Sequence, residues 1–387
     1  MNNDNRFQFI EFFAGGGMAR AGLGDGWECK FSNDFDGKKC AIYQRNWGGS
    51  ELAHKDVANV STSEIPETPD LAWASFPCQD LSLAGAGAGL EGERSGTFWP
   101  YWKLMSSLIN EGRGPRAIVL ENVVGTLSSH QGKDFGAICK ALNEKNYRFG
   151  AVVIDAALFV PQSRPRLFII AIREDMALSE HVSSNAAVAP WHTKAIQNAF
   201  GELPAKLKEN WIWWNFEAPP KQTAKLTEII EDDPDSVSWH SQADTKKLLD
   251  MMSDINLEKV EAAKSSGKRV VGTIYKRTRR DKNGIKVQRA EIRFDDVAGC
   301  LRTPAGGSSR QLIMVVEGHK IRSRLISSRE TARLMGLADS YQLPDKYNEA
   351  YHLTGDGVVV PVVRHLAAHV IEPILHELNN AKGRAAA

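Results

Sequence analysis

A single cysteine lies at the end of a strand-like segment, where a thiol can act as a nucleophile. Cys78 belongs to the sequence SFPCQ and follows the apolar run Leu71–Phe76. The next segment, Asp80–Gly96, is rich in Gly, Ala and Ser, which predicts either a lid that closes over a substrate or an ordinary surface loop. A free cysteine is more often a small buried hydrophobe, so the assignment of Cys78 as a nucleophile depends on its neighbours.

A carboxylate and two arginines accompany the strands that follow Cys78 in the chain. Glu121 and Asn122 end the apolar strand IVLENV, and Arg164 and Arg166 lie just before the strand LFIIAI, in the sequence QSRPR. We expect these groups at the same edge of a sheet, where their burial would be costly unless they paired or met a ligand. They predict either a polar active site or a structural ion pair between Glu121 and one arginine.

A glycine-rich turn near the start of the chain is typical of a nucleoside-binding loop. The sequence EFFAGGG, at positions 11–17, joins a strand-like run to the helix-compatible stretch Met18–Leu23, and its glycines can bring backbone amides close to a ligand. A carboxylate that could bind ribose hydroxyls follows at Asp34, and a further acidic position at Asp56. The sequence contains no GxxxxGKS/T motif, so we expect a nucleoside ligand rather than a nucleoside triphosphate.

The order of strands and helices predicts the framework that positions these residues. Apolar, β-prone runs alternate with helix-compatible stretches, such as Phe98–Asn110 and Lys133–Lys145. This alternation predicts an α/β fold with a mostly parallel sheet covered by helices on both faces, in which ligands bind at the carboxyl ends of the strands. The predicted strands are Phe7–Phe13, Glu28–Phe31, Leu71–Phe76, Ala117–Leu120, Ala151–Ile154 and Arg166–Ile172.

The middle of the chain lacks this alternation. From Asp175 to about Lys320 it combines a connector rich in Ala, Ser and Pro, a cluster of three tryptophans, an acidic run and a basic segment, which predicts a separate domain. We interpret the tryptophans, at positions 211, 213 and 214, as core residues. The apolar segment Val358–Leu378 could rejoin the first domain.

The composition of the chain excludes several classes of protein. Apolar residues make up 42% of the 387 residues and charged residues 25%, as in ordinary globular proteins. No apolar run reaches the length of about 18 residues that spans a membrane. The five cysteines are scattered, with no CxxC pair and no zinc-like spacing, which favours a reducing compartment and no metal site. A formal charge of +1 means that any signal for nucleic-acid binding must be local.

Taken in order, the motifs resemble those of the cytosine-C5 DNA methyltransferases of bacterial and phage type. FFAGGG resembles their cofactor loop, FPCQ their nucleophile motif, ENV their acid motif and QSRPR their paired-arginine motif. RETARLMGL resembles the helix that organises their recognition domain, and GDGVVVPV resembles their closing segment. The resemblance covers nearly the whole chain except about Asp175–Lys320, and the sequence departs from the family at Asp356 (usually Asn), Glu11 (usually Asp) and Met18 (usually Gly).

The resemblance implies the fold, the domain boundaries and the cofactor. A Rossmann-like S-adenosylmethionine-dependent methyltransferase domain is expected at residues 1–178 and 352–387, and a smaller, mostly β target-recognition domain at 179–351. The cofactor is S-adenosylmethionine, its product is S-adenosylhomocysteine, and no metal is implied. The implied cofactor contacts are Phe13, Ala14, Gly15, Gly17, Asp34, Phe35, Asp56, Val57, Pro77, Phe98, Asp356 and Val358.

The resemblance also implies a role for each polar residue. Cys78 would add to carbon 6 of a cytosine flipped out of the duplex. Glu121 would donate to ring nitrogen 3, and Arg166 would bind oxygen 2. Arg164 would hold the carboxylate or the surroundings of Cys78, and Asn122 would fix the loop geometry.

A basic segment in the middle region is a candidate DNA-binding hairpin. Residues 264–289 carry ten Lys and Arg and one acid, and Asn283-Gly284 separates two β-prone runs there, which is a strong hairpin signal. Such a hairpin can follow phosphates and place arginines in a groove, or it can be a solvated basic strand pair; the resemblance favours the first. The candidate DNA contacts are Lys276, Arg277, Arg279, Arg280 and Lys282, with the turn Thr303–Arg310 as a further candidate.

The favoured function is sequence-specific methylation of double-stranded DNA by a cytoplasmic monomer, with no membrane partner and with a restriction endonuclease as a candidate functional partner. One alternative is a tRNA cytosine-C5 methyltransferase, and another is a non-catalytic DNA-binding regulator on the same fold. The basic insertion and the lack of a Cys-Phe-Thr signature favour DNA over tRNA. The intact set of Cys78, Glu121, Arg164 and Arg166 argues against a regulator.

Overall fold

The computed structural model describes residues 6–77, 97–281, 283–302 and 310–377. Its strands, in chain order, are β1 (Phe7–Phe12), β2 (Trp27–Asp34), β3 (Leu52–His54), β4 (Leu71–Ala74), β5 (Ala117–Val123), β6 (Tyr147–Asp155), β7 (Pro165–Arg173), β8 (Ser183–Ser184), β9 (Trp213–Trp214), β10 (Arg269–Arg280), β11 (Lys286–Arg293), β12 (Leu312–Glu317) and β13 (Lys320–Leu325). Its α-helices are α1 (Met18–Leu23), α2 (Gly37–Trp47), α3 (Phe98–Asn110), α4 (Lys133–Asn143), α5 (Lys194–Glu202), α6 (Ala205–Lys208), α7 (Leu226–Ile229), α8 (Gln242–Asp250), α9 (Asp254–Ser265), α10 (Ser328–Leu334), α11 (Tyr347–Asp356) and α12 (Val360–Leu366).

The chain divides into two compact units. Unit 1 contains residues 1–155, 165–220 and 358–387, and unit 2 contains residues 156–164 and 221–357. The division differs from the boundaries expected at 178/179 and 351/352. Residues 179–220 belong to unit 1 rather than to the second domain, whereas residues 156–164 and 352–357 belong to unit 2.

Unit 1 is built on a seven-stranded sheet of order β3-β2-β1-β4-β5-β7-β6. All neighbouring pairs are parallel except those of β7, which runs antiparallel to β5 and to β6. The central strands are buried almost throughout, as expected for a sheet covered on both faces. The six predicted strands and the mostly parallel arrangement are confirmed, and the short strand β3 is an addition.

The first and the last described helices of unit 1 pack against each other. Gly22 of α1 approaches α12 so closely that a Cβ there would lie 2.7 Å from the carbonyl oxygen of Val360 and would overlap Val363. Only glycine permits this approach, which buries Val363 and Leu366 completely. The segment that begins at Val358 therefore completes the packing of unit 1, in agreement with the sequence.

The tryptophan cluster explains why residues 179–220 join unit 1. β9, which contains Trp213 and Trp214, pairs with β8, and Trp214 is fully buried. Trp211 packs edge-on against Phe149 of β6, with ring centroids 5.9 Å apart. Trp214 is a core residue, as predicted, whereas Trp211 and Trp213 are partly buried and pack against the core beside β6.

Unit 2 contains a four-stranded antiparallel sheet of order β11-β10-β12-β13. Apolar side chains of this sheet pack with α8 and α9 in one core. Arg324 of β13 forms a fully buried ion pair with Glu330 of α10, in which Nη2 lies 2.6 Å from Oε1, and Ser327 caps the same helix in a capping box. Loss of one partner of such a buried pair costs about 3–5 kcal/mol, so α10 is firmly tied to the sheet.

One helical stretch of the described residues, Tyr347–Glu377, is long and apolar enough to cross a membrane on length and composition alone. Of its most apolar window, 61% is buried. This burial is typical of a core helix in a globular protein.

Candidate active site

The ends of β5 and β7 bring a carboxylate and a guanidinium together in unit 1. The antiparallel register places Val123 of β5 opposite Arg166 of β7. Arg166 Nε lies 3.2 Å from Glu121 Oε1, and the two side chains are 16% and 8% exposed. Because the pair is nearly excluded from water, each charge stabilises the other, and removal of one would leave its partner uncompensated. The two groups therefore lie together at one sheet edge, as expected.

Asn122 connects this pair to the segment that leads to the candidate nucleophile. Its Nδ2 donates to the carbonyl oxygen of Phe76 at 3.3 Å, and its Oδ1 accepts from the backbone amide of Val123 at 2.8 Å. The side chain is buried. Phe76 precedes Cys78 by two positions, so this hydrogen bond holds the chain just before the cysteine. Cys78 itself, and the predicted lid Asp80–Gly96, lie outside the described residues.

Arg164 lies in unit 2, where its guanidinium binds backbone carbonyls. It donates to Leu301 at 3.1 Å, to Gly355 at 2.8 Å and to Gly357 at 2.7 Å, and it is almost completely buried. Two of these carbonyls flank the exposed Asp356. The arginine therefore fixes the backbone that presents Asp356, because a planar fork of donors can hold several carbonyls at once.

The structure shows which arginine holds the carboxylate. Arg166 pairs with Glu121, because Arg166 belongs to β7 and lies opposite the end of β5. The expectation that Arg164 holds the surroundings of Cys78 stays a prediction, because Cys78 lies outside the described residues.

The glycine-rich turn after β1 has the geometry of a ligand-binding loop. Phe13, Gly15 and Gly17 have positive φ angles of 57°, 56° and 77°, so the chain reverses sharply between β1 and α1. Gly15 donates its amide to Asp34 Oδ2 at 2.8 Å, and the amide of Ala14 binds the carbonyl oxygen of residue 33 at 3.0 Å. The end of β2 therefore anchors the turn, and burial raises the pKa of the Asp34 carboxyl.

Trp47, which the sequence did not suggest, supports the same turn. Its indole Nε1 donates to the carbonyl oxygen of Gly16 at 3.0 Å. A Cβ on Gly17 would overlap the indole, lying 2.8 Å from Cδ1. Arg20 lies over the Trp47 ring, 5.2 Å from its centroid. An aromatic residue at the end of a helix carries no sequence signal for this role, because the contact spans 31 positions.

The remaining cofactor candidates of unit 1 differ in exposure. Phe35, next to Asp34, is 71% exposed, which is unusual for a large apolar ring and leaves its face available for stacking. Val57 is buried and Pro77 half-buried. Phe98 is fully buried and packs on its aromatic neighbours, so it supports the site through core packing. Asp56 caps the short helix that begins at Val57, accepting from the amide of residue 58 at 2.8 Å.

A cavity of about 620 Å³ in unit 1 lies between residues 57–62 and α3. Of the cofactor candidates, Val57 alone lines it. The polar pair at the end of β5 lines no part of it, so we assign it no role in the chemistry.

The basic segment of unit 2 forms the predicted hairpin. β10 and β11 pair from Thr273 opposite Arg293 to Arg280 opposite Lys286, and Gly284 supplies the positive φ of the turn. Two of the candidate DNA contacts, Arg277 and Arg279, are half exposed and lie 3.4 and 2.5 Å from the carboxylate of Glu291. Arg280 donates to the carbonyl oxygen of Gly284, and Lys276 is partly buried. Lys282 and residues 303–309 lie outside the described residues.

Comparisons with known proteins agree with this arrangement. A family model described as C-5 cytosine-specific DNA methylase matches residues 7–372. The chain is 26% identical to the Type II methyltransferase M.HhaI of Haemophilus parahaemolyticus over 367 residues, which cover 94% of both chains. It is also 26% identical to the Type II methyltransferase M.DsaV of Dactylococcopsis salina over 371 residues, which cover 95% of this chain and 87% of the relative. The solved structure of the Entamoeba histolytica methyltransferase EhMeth has the same fold, with a TM-score of 0.62 at 15% identity, over 93% of this chain and 96% of that one.

Proposed function

This chain belongs to the C-5 cytosine-specific DNA methylases, and we propose that it transfers a methyl group from S-adenosylmethionine to a flipped-out cytosine through a covalent adduct with Cys78. The observation that carries the proposal is the joined arrangement at the end of β5. Glu121 is paired with Arg166, and the adjacent Asn122 holds the backbone of Phe76, two positions before Cys78.

The chemistry requires a nucleophile and a group that balances charge on the ring. Carbon 5 of cytosine is a weak nucleophile, but addition of the Cys78 thiolate to carbon 6 forms a sulfur–carbon bond and makes carbon 5 an enamine carbon. The electron pair displaced from the ring moves toward nitrogen 3, which takes a proton from the protonated form of the Glu121 carboxyl, and Arg166 binds oxygen 2. When carbon 5 takes the methyl group, the carbon–sulfur bond of the donor breaks and S-adenosylhomocysteine leaves. A base then removes the proton from carbon 5, the ring double bond reforms, the Cys78 thiolate leaves and the proton on nitrogen 3 returns to Glu121.

The residues at the first three strand ends fit the cofactor, which supplies a methyl group on a positively charged sulfur. A Cβ on Gly15 would meet only one atom, at 4.0 Å, so the turn leaves room for a ligand against its backbone. Asp34 would bind the ribose hydroxyls, and the exposed ring of Phe35 would stack on the adenine. Asp356, where relatives usually carry Asn, would place a negative charge near the amino-acid end of the cofactor.

Three of the four other thiols support Cys78 by their chemistry. Burial raises the pKa of Cys29 and of Cys40 to about 12 and raises the pKa of Cys139 further. At neutral pH these three side chains are therefore thiols rather than thiolates, and they are poor nucleophiles.

The hairpin supports DNA as the substrate. Its register places Arg277 directly opposite Arg289, and Arg280 directly opposite Lys286. Like charges directly opposite each other destabilise a strand pair, so the arrangement favours a polyanionic partner that neutralises them. We further propose that the enzyme acts as a monomer in the cytoplasm, and that it is paired functionally with a restriction endonuclease, as the Type II names of its relatives suggest.

A labelling experiment tests this function. The purified protein is incubated with radiolabelled S-adenosylmethionine and either a mixed-sequence DNA duplex or bulk tRNA, and in parallel with a duplex that contains 5-fluorocytosine, which traps the adduct because no proton can leave carbon 5. We expect label in DNA and a denaturation-resistant adduct that is absent in Cys78→Ala but unchanged in Cys29→Ala. Label only in tRNA would reassign the substrate, and DNA binding without label in either would favour a regulator.

A further inference from the structure

The hairpin of unit 2 extends beyond the sheet that supports it. β12 pairs with β10 only from Arg269 to Ile274, whereas β10 continues to Arg280 in pairing with β11. Side chains change from buried to exposed just beyond this point, since Ile274 is fully buried, Tyr275 and Lys276 are half-buried, and all residues from Arg277 to Arg280 are exposed. A two-stranded ribbon is marginally stable by itself, so this extension is suited to a partner that it enters.

Hydrogen bonds connect the described residues at the end of the ribbon. Asp281 Oδ1 accepts from the amides of Asn283 and Ile285, at 2.8 and 2.9 Å. The amide of Asp281 donates to the carbonyl oxygen of Ile285 at 2.9 Å, and Arg280 Nη1 donates to that of Gly284 at 2.9 Å. These bonds fix both the turn and the position of the residue that follows it.

That residue is apolar and exposed. Ile285 is 60% exposed, at a turn position where polar residues are usual. A single exposed isoleucine is ordinary on a protein surface, but this one lies at a hydrogen-bonded turn among cationic side chains. Arg280 and Lys286 form the cross-strand pair next to it. The end of the hairpin therefore combines cationic side chains, which attract a polyanion, with one apolar side chain.

The dimensions of the ribbon match a groove of duplex DNA. Six residues from Tyr275 to Arg280 span about 20 Å at roughly 3.3 Å per residue. The major groove admits a two-stranded ribbon and is about 8.5 Å deep, so the tip can reach the base pairs while the arginines behind it reach the phosphates.

We infer that Ile285 is a wedge that inserts between two base pairs when the hairpin enters the major groove. Apolar side chains of proteins that bind the minor groove unstack base steps, and the unstacking is offset by the contacts that the deformed DNA gains. An apolar tip that reaches the base pairs from the major groove would act on the same stacking. The inference rests on the proposed function, because it requires duplex DNA as the substrate. Ile285 leaves the water when it inserts, whereas the phosphate contacts of the arginines do not depend on it.

The experiment first maps the methylated sequence by bisulfite sequencing of plasmid DNA treated with the wild-type protein. Duplexes of that sequence, each with 2-aminopurine at a different position, then report unstacking as an increase in fluorescence. We expect the fluorescence of 2-aminopurine to increase at one base-pair step with the wild-type protein. At that step the increase should be at least threefold smaller with Ile285→Ala and should be retained with Ile285→Met. The dissociation constant should rise roughly tenfold, the order expected when most of an isoleucine side chain no longer leaves water, with an unchanged salt dependence.

Ile255→Ala is the matched control, because Ile255 is also an exposed isoleucine of unit 2, at 67%, but lies on α9. It should behave as the wild type in every assay. A wild-type protein that methylates DNA but shows no step sensitive to Ile285→Ala overturns the wedge alone. A wild-type protein that methylates no DNA overturns the proposed function and the wedge with it. Weaker binding of Ile285→Ala with an altered salt dependence would show a disturbed hairpin and would also contradict the wedge.

Discussion

Replacing Gly17 with alanine tests how the turn after β1 is supported. Gly17 has a φ of 77°, and the left-handed conformation costs an L-residue about 1–2 kcal/mol. An added methyl group would also overlap the indole of Trp47, and such overpacking costs about 1–3 kcal/mol. We therefore expect Gly17→Ala to lower the free energy of unfolding by about 2–5 kcal/mol in total.

The two contributions can be separated in the same chain. In a Trp47→Ala background the indole is gone, and the closest remaining atom to the added methyl group belongs to Tyr43, at 3.1 Å. Gly17→Ala should then cost only about 1–2 kcal/mol, so the two substitutions are coupled by about 1–3 kcal/mol. Gly48→Ala is the control for the backbone cost alone, because Gly48 has a φ of 81° and no atom lies within 4 Å of its added Cβ.

Urea unfolding of Gly17→Ala, Trp47→Ala, the double variant and Gly48→Ala measures the coupling between the two substitutions. Calorimetric titration with S-adenosylhomocysteine measures how the substitutions change ligand binding at the turn. Gly17→Ala should weaken binding of S-adenosylhomocysteine roughly tenfold, which corresponds to 1.4 kcal/mol, and part of this loss should be recovered when Trp47 is also replaced. Additive effects on stability would show that Trp47 does not confine Gly17, and the proposed support of the turn would then be wrong.

Two further predictions concern charge. Replacing Arg277, Arg279 and Arg280 together with Gln should weaken binding to a mixed-sequence duplex and reduce the slope of the logarithm of the binding constant against log salt by roughly three. Replacing the exposed lysines of α8 is the control and should leave the slope unchanged. An unchanged slope in the hairpin variant would show that the phosphate contacts lie elsewhere. Burial raises the pKa of Glu11 from 4.5 to about 8, so the folded state binds more protons than the unfolded state between these values, and stability should fall as the pH rises through that range. Glu11→Gln should remove this dependence of stability on pH. If urea unfolding shows that Glu11→Gln changes the stability by the same amount at pH 5 and at pH 8, the raised pKa of Glu11 is contradicted.

Much of unit 1 could be predicted because its strands carry a strong local signal. The continuous apolar runs around Ile10 and Val119 reflect burial on both faces of the sheet, and α3 begins and ends where the sequence predicts. β3 carries no such signal, since it is three residues long and half-buried. Residues 179–220 group with unit 1 although they lack the strand and helix alternation, because Trp211 and Trp214 pack against strands that lie far away in the chain.

The polar residues show a similar limit. The spacing of Arg164 and Arg166 predicts that both are near the site, but alternation along a strand cannot tell which one faces Glu121 until the antiparallel register of β5 and β7 is known. Trp47 was missed because a hydrogen bond to a backbone carbonyl leaves no pattern in the sequence. The hairpin was predicted because Asn283 and Gly284 determine its turn locally.

The packing of α1 against α12 has a consequence for synthesis of the protein. α1 follows directly on the turn that is proposed to bind the cofactor, and the ribosome supplies α12 more than 300 residues later. At roughly 5–20 residues per second, about 15 to 70 s pass before the two helices can meet. Until then Gly22 and the apolar side of α1 lack the surface that covers them. While the residues between the two helices are being made, the nascent chain therefore carries α1 without the helix that packs against it.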